Sequence, residues 1–240
     1  MDLKKAIDSA QRAQRNYDLS KTIPQDDLET LIYAAVNSPS KQNETHYSLH
    51  VYTGQDVIRD IYNNTKKFTL MKDDEDRKGL FGEKDGKYWQ NDKQSVTNSQ
   101  TLANALFVYV EETGEARGGT HFVGQTNPNG NAAKLYYEQQ SYSIGISVGE
   151  LILTANLLGY KTGICSAMDS KPIKKIVGSK NHVKLLVGVG FDNVGTDRRL
   201  HPETLNRDVP EKFRTGDLEE QWRFPSLNKK TKIYINGIIT

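Results

Sequence analysis

Apolar residues recur along this chain in two rhythms, one of three to four residues and one of two, and they are densest between Ser141 and Asp169. At helical spacing Ile144, Val148, Leu151, Ile152, Ala155 and Leu158 form one apolar face, while Ile146, Gly149, Leu153 and Leu157 form a second. Only Ser143, Ser147, Glu150 and Thr154 leave a thin polar stripe between them. A helix apolar on nearly all sides is buried in a core or between subunits. Leu158-Gly159 ends it, because glycine tolerates the left-handed cap conformation. The next residues, Lys161 to Ala167, predict a short buried strand carrying the only cysteine.

The same rhythms divide the rest of the chain. Leu3, Ala6, Ile7, Ala10 and Ala13 predict a first helix with Arg12 and Arg15 one turn apart, a spacing at which two guanidinium groups can converge on one anion. Thr22-Ile23-Pro24 followed by Asp26 and Asp27 predicts a helix start, since proline suits the first turn and acids favour the positive end. Leu28, Leu31, Ile32, Ala35 and Val36 are its buried face, and Pro39 stops it. Residues 38–43 then form a polar loop. Tyr47, Leu49 and Val51 alternate with polar neighbours and predict a strand with His46 and His50 on its polar phase, solvated or hydrogen-bonded. Val57, Ile58, Ile61 and Tyr62 predict another helix, a short one is expected near Asn91 to Leu102, and Ala105 to Val110 reads as a core strand. Pro172 to Val177 and Val183 to Gly190 predict a helix and an apolar strand. Two stretches, 66–93 and 113–130, lose periodicity and read as solvated insertions or as lids over a site. A C-terminal extension, 211–240, ends in a strand-like alternation from Lys232 to Ile239 that could pair with a neighbouring chain.

Helices and strands alternate without βαβ repetition, which predicts an α+β fold, a central mostly antiparallel sheet flanked by helices, in a single domain over 1–240. A formal charge of +2 with lysines and acids intermixed argues against a general nucleic-acid surface. One cysteine cannot close an intrachain disulfide, and neither histidine has partners at a metal-ligand spacing. Gly118-Gly119 lacks the residues of a Walker or dinucleotide-binding loop. Without an apolar signal core or a membrane-length apolar run, the expected location is cytoplasmic.

Separated segments of the chain match one family in order and spacing. Arg12-Ala13-Gln14-Arg15-Asn16-Tyr17 resembles the opening Arg-Ser-x-Arg-x-Phe pattern of the nitroreductase family of FMN-dependent NAD(P)H oxidoreductases. Ala34 to Asn43 is similar to its Ala-Pro-Ser-x-x-Asn loop, Asn98 falls where the family has an asparagine near the flavin, and Leu157-Leu158-Gly159-Tyr160-Lys161-Thr162-Gly163 resembles its Leu-Gly-Leu-Gly-Thr turn. The resemblance implies a homodimer with FMN at each subunit interface and NAD(P)H as electron donor. It implies that Arg12 and Arg15, with Arg198 or Arg199, take the FMN phosphate, a group of nearly two negative charges. Pro39, Ser40, Lys41 and Asn43 would approach the ring from the partner subunit, Asn98 would offer its amide to the pyrimidine edge, and Cys165, Ser166 and Ala167 would lie under or beside the ring. The chain departs from the pattern at Gln11, where many relatives have arginine, at Ala13 for serine, and at Thr101 for a frequent lysine. Thr45-His46-Tyr47 replaces Gln-Pro-Trp, and Ser166-Ala167 replaces Glu-Gly or Gly-Gly.

The implied activity is reduction of a nitroaromatic, quinone or similar acceptor by ping-pong hydride transfer through the flavin. The cofactor carries that chemistry, in keeping with a sequence that offers no catalytic triad or carboxylate pair. Reductive dehalogenation, substrate dehydrogenation, flavin degradation on the same fold, or flavin binding without turnover remain alternatives.

Overall fold

Every residue from Ala105 to Val110 is buried, on both phases of the strand alternation. This strand therefore lies at the centre of a sheet covered on both faces. The computed structural model describes residues 2–40, 43, 45–65, 68–69, 95–96, 98–112, 131–196 and 198, with the backbone alone for 68–69, 95–96 and 131–136. In chain order these form α1 (Leu3–Ala10), α2 (Gln25–Val36), β1 (Tyr47–Tyr52), α3 (Gln55–Asn63), β2 (Phe68–Thr69), β3 (Ser95–Val96), a 3-10 turn (Ser99–Thr101), β4 (Ala105–Glu111), α4 (Asn131–Leu157), β5 (Lys161–Cys165), α5 (Ser170–Ile176) and β6 (Val183–Gly190). The main sheet runs β1-β4-β6-β5 and every pairing in it is antiparallel, while β2 and β3 form a separate two-stranded pair. The α+β architecture expected from the alternating pattern is the one observed.

The two phases of β4 feed two cores. Ala105, Phe107 and Tyr109 pack with Val187 and Val189 under α2 and α4, against Leu31, Ala35, Ile144, Val148, Leu151 and Ala155. Leu106, Val108 and Val110 pack with Leu186 under α3 and α5, against Ile58, Ile61 and Ile173. Helix limits follow the local signals: Pro24 precedes α2, and Gly159 after α4 has φ +96. Among the described residues, no helix is long and apolar enough to cross a membrane.

Several expectations are corrected. Helix α1 stops at Ala10, so Arg12 and Arg15 are not one helical turn apart; the chain beyond Gln11 leaves the helix to bond along the sheet. No helix spans Asn91 to Leu102; the described part of that stretch is β3 and a single 3-10 turn, closed by the Thr101 hydroxyl donating to the Asn98 carbonyl at 2.9 Å. The buried strand expected over Lys161 to Ala167 ends at Cys165 and is an edge of the described sheet, with Ile164 exposed. Val36 and Leu158, assigned to buried faces, are exposed as well.

The polar stripe of the long helix turns inward. Ser143 and Ser147 are buried, and α4 begins ten residues before Ser141, at Asn131. The reason lies in α2: the Ala35 carbonyl, in the last helical turn, has no acceptor role left within its own helix. It accepts from Ser147 Oγ at 2.6 Å and Tyr47 OH at 2.8 Å, and Tyr109 OH lies 2.9 Å from Ser147 Oγ. His46 is buried beside Ser143, Nδ1 to Oγ 3.3 Å, hydrogen-bonded rather than solvated. The stretches 66–93 and 113–130 and the extension 211–240 lie outside the described residues, apart from Phe68–Thr69.

Candidate functional site

Three glycines on one face of β5 and β6 open the surface on which the site is built. Gly163 pairs with Gly188, and Gly190 follows two residues on. A Cβ at Gly163 would stand 2.5 Å from Gln100 Cβ and 2.7 Å from the Gln14 carbonyl oxygen. At Gly188 it would run into the Gln100 carbonyl oxygen, and at Gly190 into Asn104 Oδ1. Glycine inside a strand marks such close approach, and these glycines are the sequence signal that points to Gln14, Gln100 and Asn104, residues the motif comparison passes over.

Two segments use the space. One is the chain after α1: Gln14 N–H donates to the Thr162 carbonyl at 2.8 Å, Asp18 N–H to Phe191 O at 3.1 Å, and Tyr17 bridges to Asp192. Tyr17 is buried and its hydroxyl donates toward Gln100 O at 3.4 Å and Gly188 O at 3.3 Å; burial pushes its pKa up, so it stays a neutral phenol. The other segment is the 3-10 turn, where Asn98, Gln100 and Thr101 are all buried. Asn98 N–H donates to Thr65 Oγ1 at 2.9 Å, its Nδ2 donates to the Ala167 carbonyl at 3.1 Å, and Gln100 Nε2 donates to the Ile164 carbonyl at 3.2 Å.

The first segment also brings two arginines onto neighbouring stretches of chain. Arg15 N–H donates to the Arg198 carbonyl at 2.7 Å, so two arginines far apart in sequence lie on bonded stretches of chain. Arg15 is partly buried; desolvation lowers its pKa, opposed by the neighbouring Cys165 thiol. The guanidinium remains charged regardless. Cys165 is buried and its pKa is pushed up to about 11, by desolvation first, against smaller lowering effects of the Ala167 main chain and Arg15; its Sγ lies 3.5 Å from the Ala167 carbonyl oxygen. A thiol so placed is neutral at physiological pH and not a nucleophile. Ser166 and Ala167, both exposed, follow it as a shelf of small side chains.

The expected site residues thus fall into two groups. Arg15, Arg198, Cys165, Asn98 and Ala167 are linked by the contacts above, with Ser166 between them and Thr101 closing the turn beneath. Arg12 lies on the same segment, partly buried, with Ala13 and Gln11 exposed and Gln11 Nε2 donating to Asp8 at 3.2 Å. Pro39, Ser40 and Asn43 belong to the loop before β1, where Asn43 has φ 59 and Ser40 Oγ accepts from Thr45 N–H at 3.0 Å. Strands β1 and β5 are opposite edges of the sheet, three strand spacings or about 14 Å apart. Lys41 and Arg199 lie outside the described residues.

The arrangement, the charge of Arg15 beside a shelf of small side chains with the Ile164 and Ala167 carbonyls held by neutral amides, suits an elongated ligand with an anionic end and a planar end.

Comparison with known proteins agrees with the fold. The chain is similar to the structure of a nitroreductase family protein from Clostridium novyi NT, at 16% identity and TM-score 0.55, covering 82% of this chain and 90% of that one. It is similar to a candidate NAD(P)H:FMN oxidoreductase from Staphylococcus epidermidis, at 14% identity and TM-score 0.55, covering 87% and 95%. A nitroreductase with bound FMN from Bacteroides fragilis matches at 17% identity and TM-score 0.53, covering 82% and 91%. Identities this low speak for the fold alone. No curated protein sequence matches the chain. The family model, by contrast, matches residues 9–191, most of the length and all of the main sheet, and the chain belongs to the nitroreductase family.

Proposed function

We propose that this chain is an FMN-dependent oxidoreductase that uses NAD(P)H to reduce nitroaromatic, quinone or similar acceptors. The observation that carries the reading is the Arg15 main chain bonded to that of Arg198, with the Arg15 charge acting on Cys165 next to the Ser166-Ala167 shelf, because FMN joins a dianionic phosphate to a planar ring system. The donor set fits that group: guanidinium groups bind phosphate by charge-assisted hydrogen bonds, and small side chains leave room for a ring. FMN, when bound, supplies hydride acceptance and donation. The protein's part is to bind and orient. Arg12, Arg15 and Arg198 hold the phosphate end, and Asn98 aims its amide along the shelf edge. Cys165 stays protonated and adds no competing charge beneath it.

The loop of Pro39, Ser40 and Asn43 precedes β1, the edge of the sheet opposite β5, and this supports its approach to the ring from a second chain. The outward face of α4 supports a homodimer: Tyr142 is 64% and Ile146 43% exposed, with Gly145 and Gly149 beside them. Apolar residues on an exposed helix face next to glycines allow close helix approach between subunits. Ile146→Asp is expected to yield a monomer by light scattering and to lose bound flavin; a flavin-loaded monomer would refute an interface site.

The test of the reading is an absorbance spectrum of the purified protein before and after anaerobic NADPH or NADH. Flavin bands that bleach, and return on adding a nitroaromatic or quinone, are the expected result. A colourless protein that FMN does not reconstitute would overturn it.

A further inference from the structure

Past Cys165, whose partner is Leu186, the ladder with β6 ends, and the next main-chain anchors are the bridge of Met168 to Thr65 and the Asp169 N–H donating to the Asn64 carbonyl at 3.1 Å. Two side-chain amides hold the stretch between. Gln100 Nε2 donates to the Ile164 carbonyl at 3.2 Å and toward Asn98 Oδ1 at 3.4 Å. Asn98 Nδ2 in turn donates to the Ala167 carbonyl at 3.1 Å. The chain of bonds has a direction. Because Gln100 offers a donor, Asn98 must turn its oxygen toward Gln100 and its NH2 toward the shelf; with the Asn98 amide reversed, two donors would face each other at one end.

Gln100 itself is locked. Its Cβ lies over Gly163, its carbonyl oxygen over Gly188, and Tyr17 OH donates to that same carbonyl. Its Oε1 is buried with no hydrogen-bond partner among the described residues. A buried acceptor left unsatisfied lowers stability, so packing alone gives no reason for an amide here where an apolar side chain of equal length would fit.

We propose that Gln100 is the positioning residue of the ring shelf: it sets the orientation of the Asn98 amide and fixes the Ile164–Ala167 backbone, acting on the flavin ring through both without touching it. This rests on the FMN reading above.

The test uses Gln100→Met, which keeps length and removes both donors. In the flavin-free variant, amide hydrogen exchange in residues 163–168 is expected to quicken by roughly fivefold while α4 stays unchanged. In the reconstituted protein the visible circular dichroism of the flavin is expected to change, and affinity to fall about tenfold for FMN and for riboflavin alike, because the lesion is at the ring end. Wild-type exchange at 163–168 together with wild-type dichroism would overturn the proposal. So would faster exchange throughout α4 and β4 with unchanged dichroism, the mark of a purely structural residue. Should the unmutated protein bind neither FMN nor riboflavin, the oxidoreductase reading falls and this one with it; normal binding by the wild type and by Gln100→Met alike sinks this proposal only.

Discussion

Replacing Arg15 and Arg198 together by alanine is expected to weaken FMN binding about a thousandfold while changing riboflavin binding by no more than about threefold. The expectation follows from the geometry. The Arg15 amide and the Arg198 carbonyl are joined at 2.7 Å, which keeps the two side chains on adjoining chain, and Arg15 is already partly desolvated. A desolvated cation gains most from a dianion, since the cost of removing its water has been met on folding and the attraction acts in a less polar medium. Each charge-assisted bond is worth about 1.5–3 kcal/mol, so losing two corresponds to roughly two to four orders of magnitude in affinity. Riboflavin has the ring without the phosphate and reports the shelf alone. Fluorescence quenching titrations with both ligands give the comparison directly; equal losses for the two, or none for FMN, would remove the arginines from the phosphate site. The same pairing predicts that FMN affinity in the wild type weakens below about pH 6, where the phosphate takes up a proton and loses one of its charges.

Gly188→Ala is expected to lower stability by about 3 kcal/mol, a fall in Tm of roughly 6–12 °C. The added Cβ would enter the space of the Gln100 carbonyl oxygen, with Ala103 Cβ at 3.0 Å and Tyr17 OH at 3.2 Å beyond it. A flexible side chain could swing away; a carbonyl within a 3-10 turn cannot move without lifting the turn, and with it the bonds from Asn98 and Gln100 to the shelf. Flavin affinity should therefore fall with stability. Gly54→Ala is the control, because nothing lies within 4 Å of its Cβ position, and its effect should stay under about 1 kcal/mol. Thermal melts followed by circular dichroism compare the two. Equal Tm values for Gly188→Ala and Gly54→Ala would mean the turn is not seated on the sheet as described.

Much of the fold was legible because its signals are local. Val183 to Gly190 is a strand at the limits its apolar run predicted, and Ala105 to Val110 differs from the observed strand only by Glu111. A run buried on both faces has few alternatives once its length is too short for a helix. Pro24, Pro39 and Gly159 set helix limits through the backbone angles they impose or permit, which act within one or two residues. The order of the family-like segments was readable for the same reason, and the family match over 9–191 bears out that reading.

What failed were several inferences about where polar groups find their partners. The Arg12–Arg15 spacing suggested a helical pair, yet α1 ends first, because bonding Gln14 to Thr162 and Arg15 to Arg198 satisfies main-chain groups that a longer helix would withhold from the sheet edge. Ser143 and Ser147 read as a polar stripe between apolar faces, but the open carbonyl of Ala35 and the ring of His46 draw them into the core. Gln100 carried no motif at all, and only the pairing of Gly163 with Gly188 gives it a seat.

The sequence by itself determined most of the helices and strands and the family, because periodicity and backbone preference are properties of neighbouring residues; the end of α1, the start of α4 and the end of β5 it did not. Only the tertiary structure decided that the Arg15 main chain bonds to that of Arg198, that β1 after the Ser40 loop and β5 before the Ser166-Ala167 shelf are opposite edges of the sheet, and that Gln100 and Asn98 bond to the Ile164 and Ala167 carbonyls. Those facts are set by which distant groups satisfy one another once the chain is packed, and no local pattern encodes the identity of a distant partner.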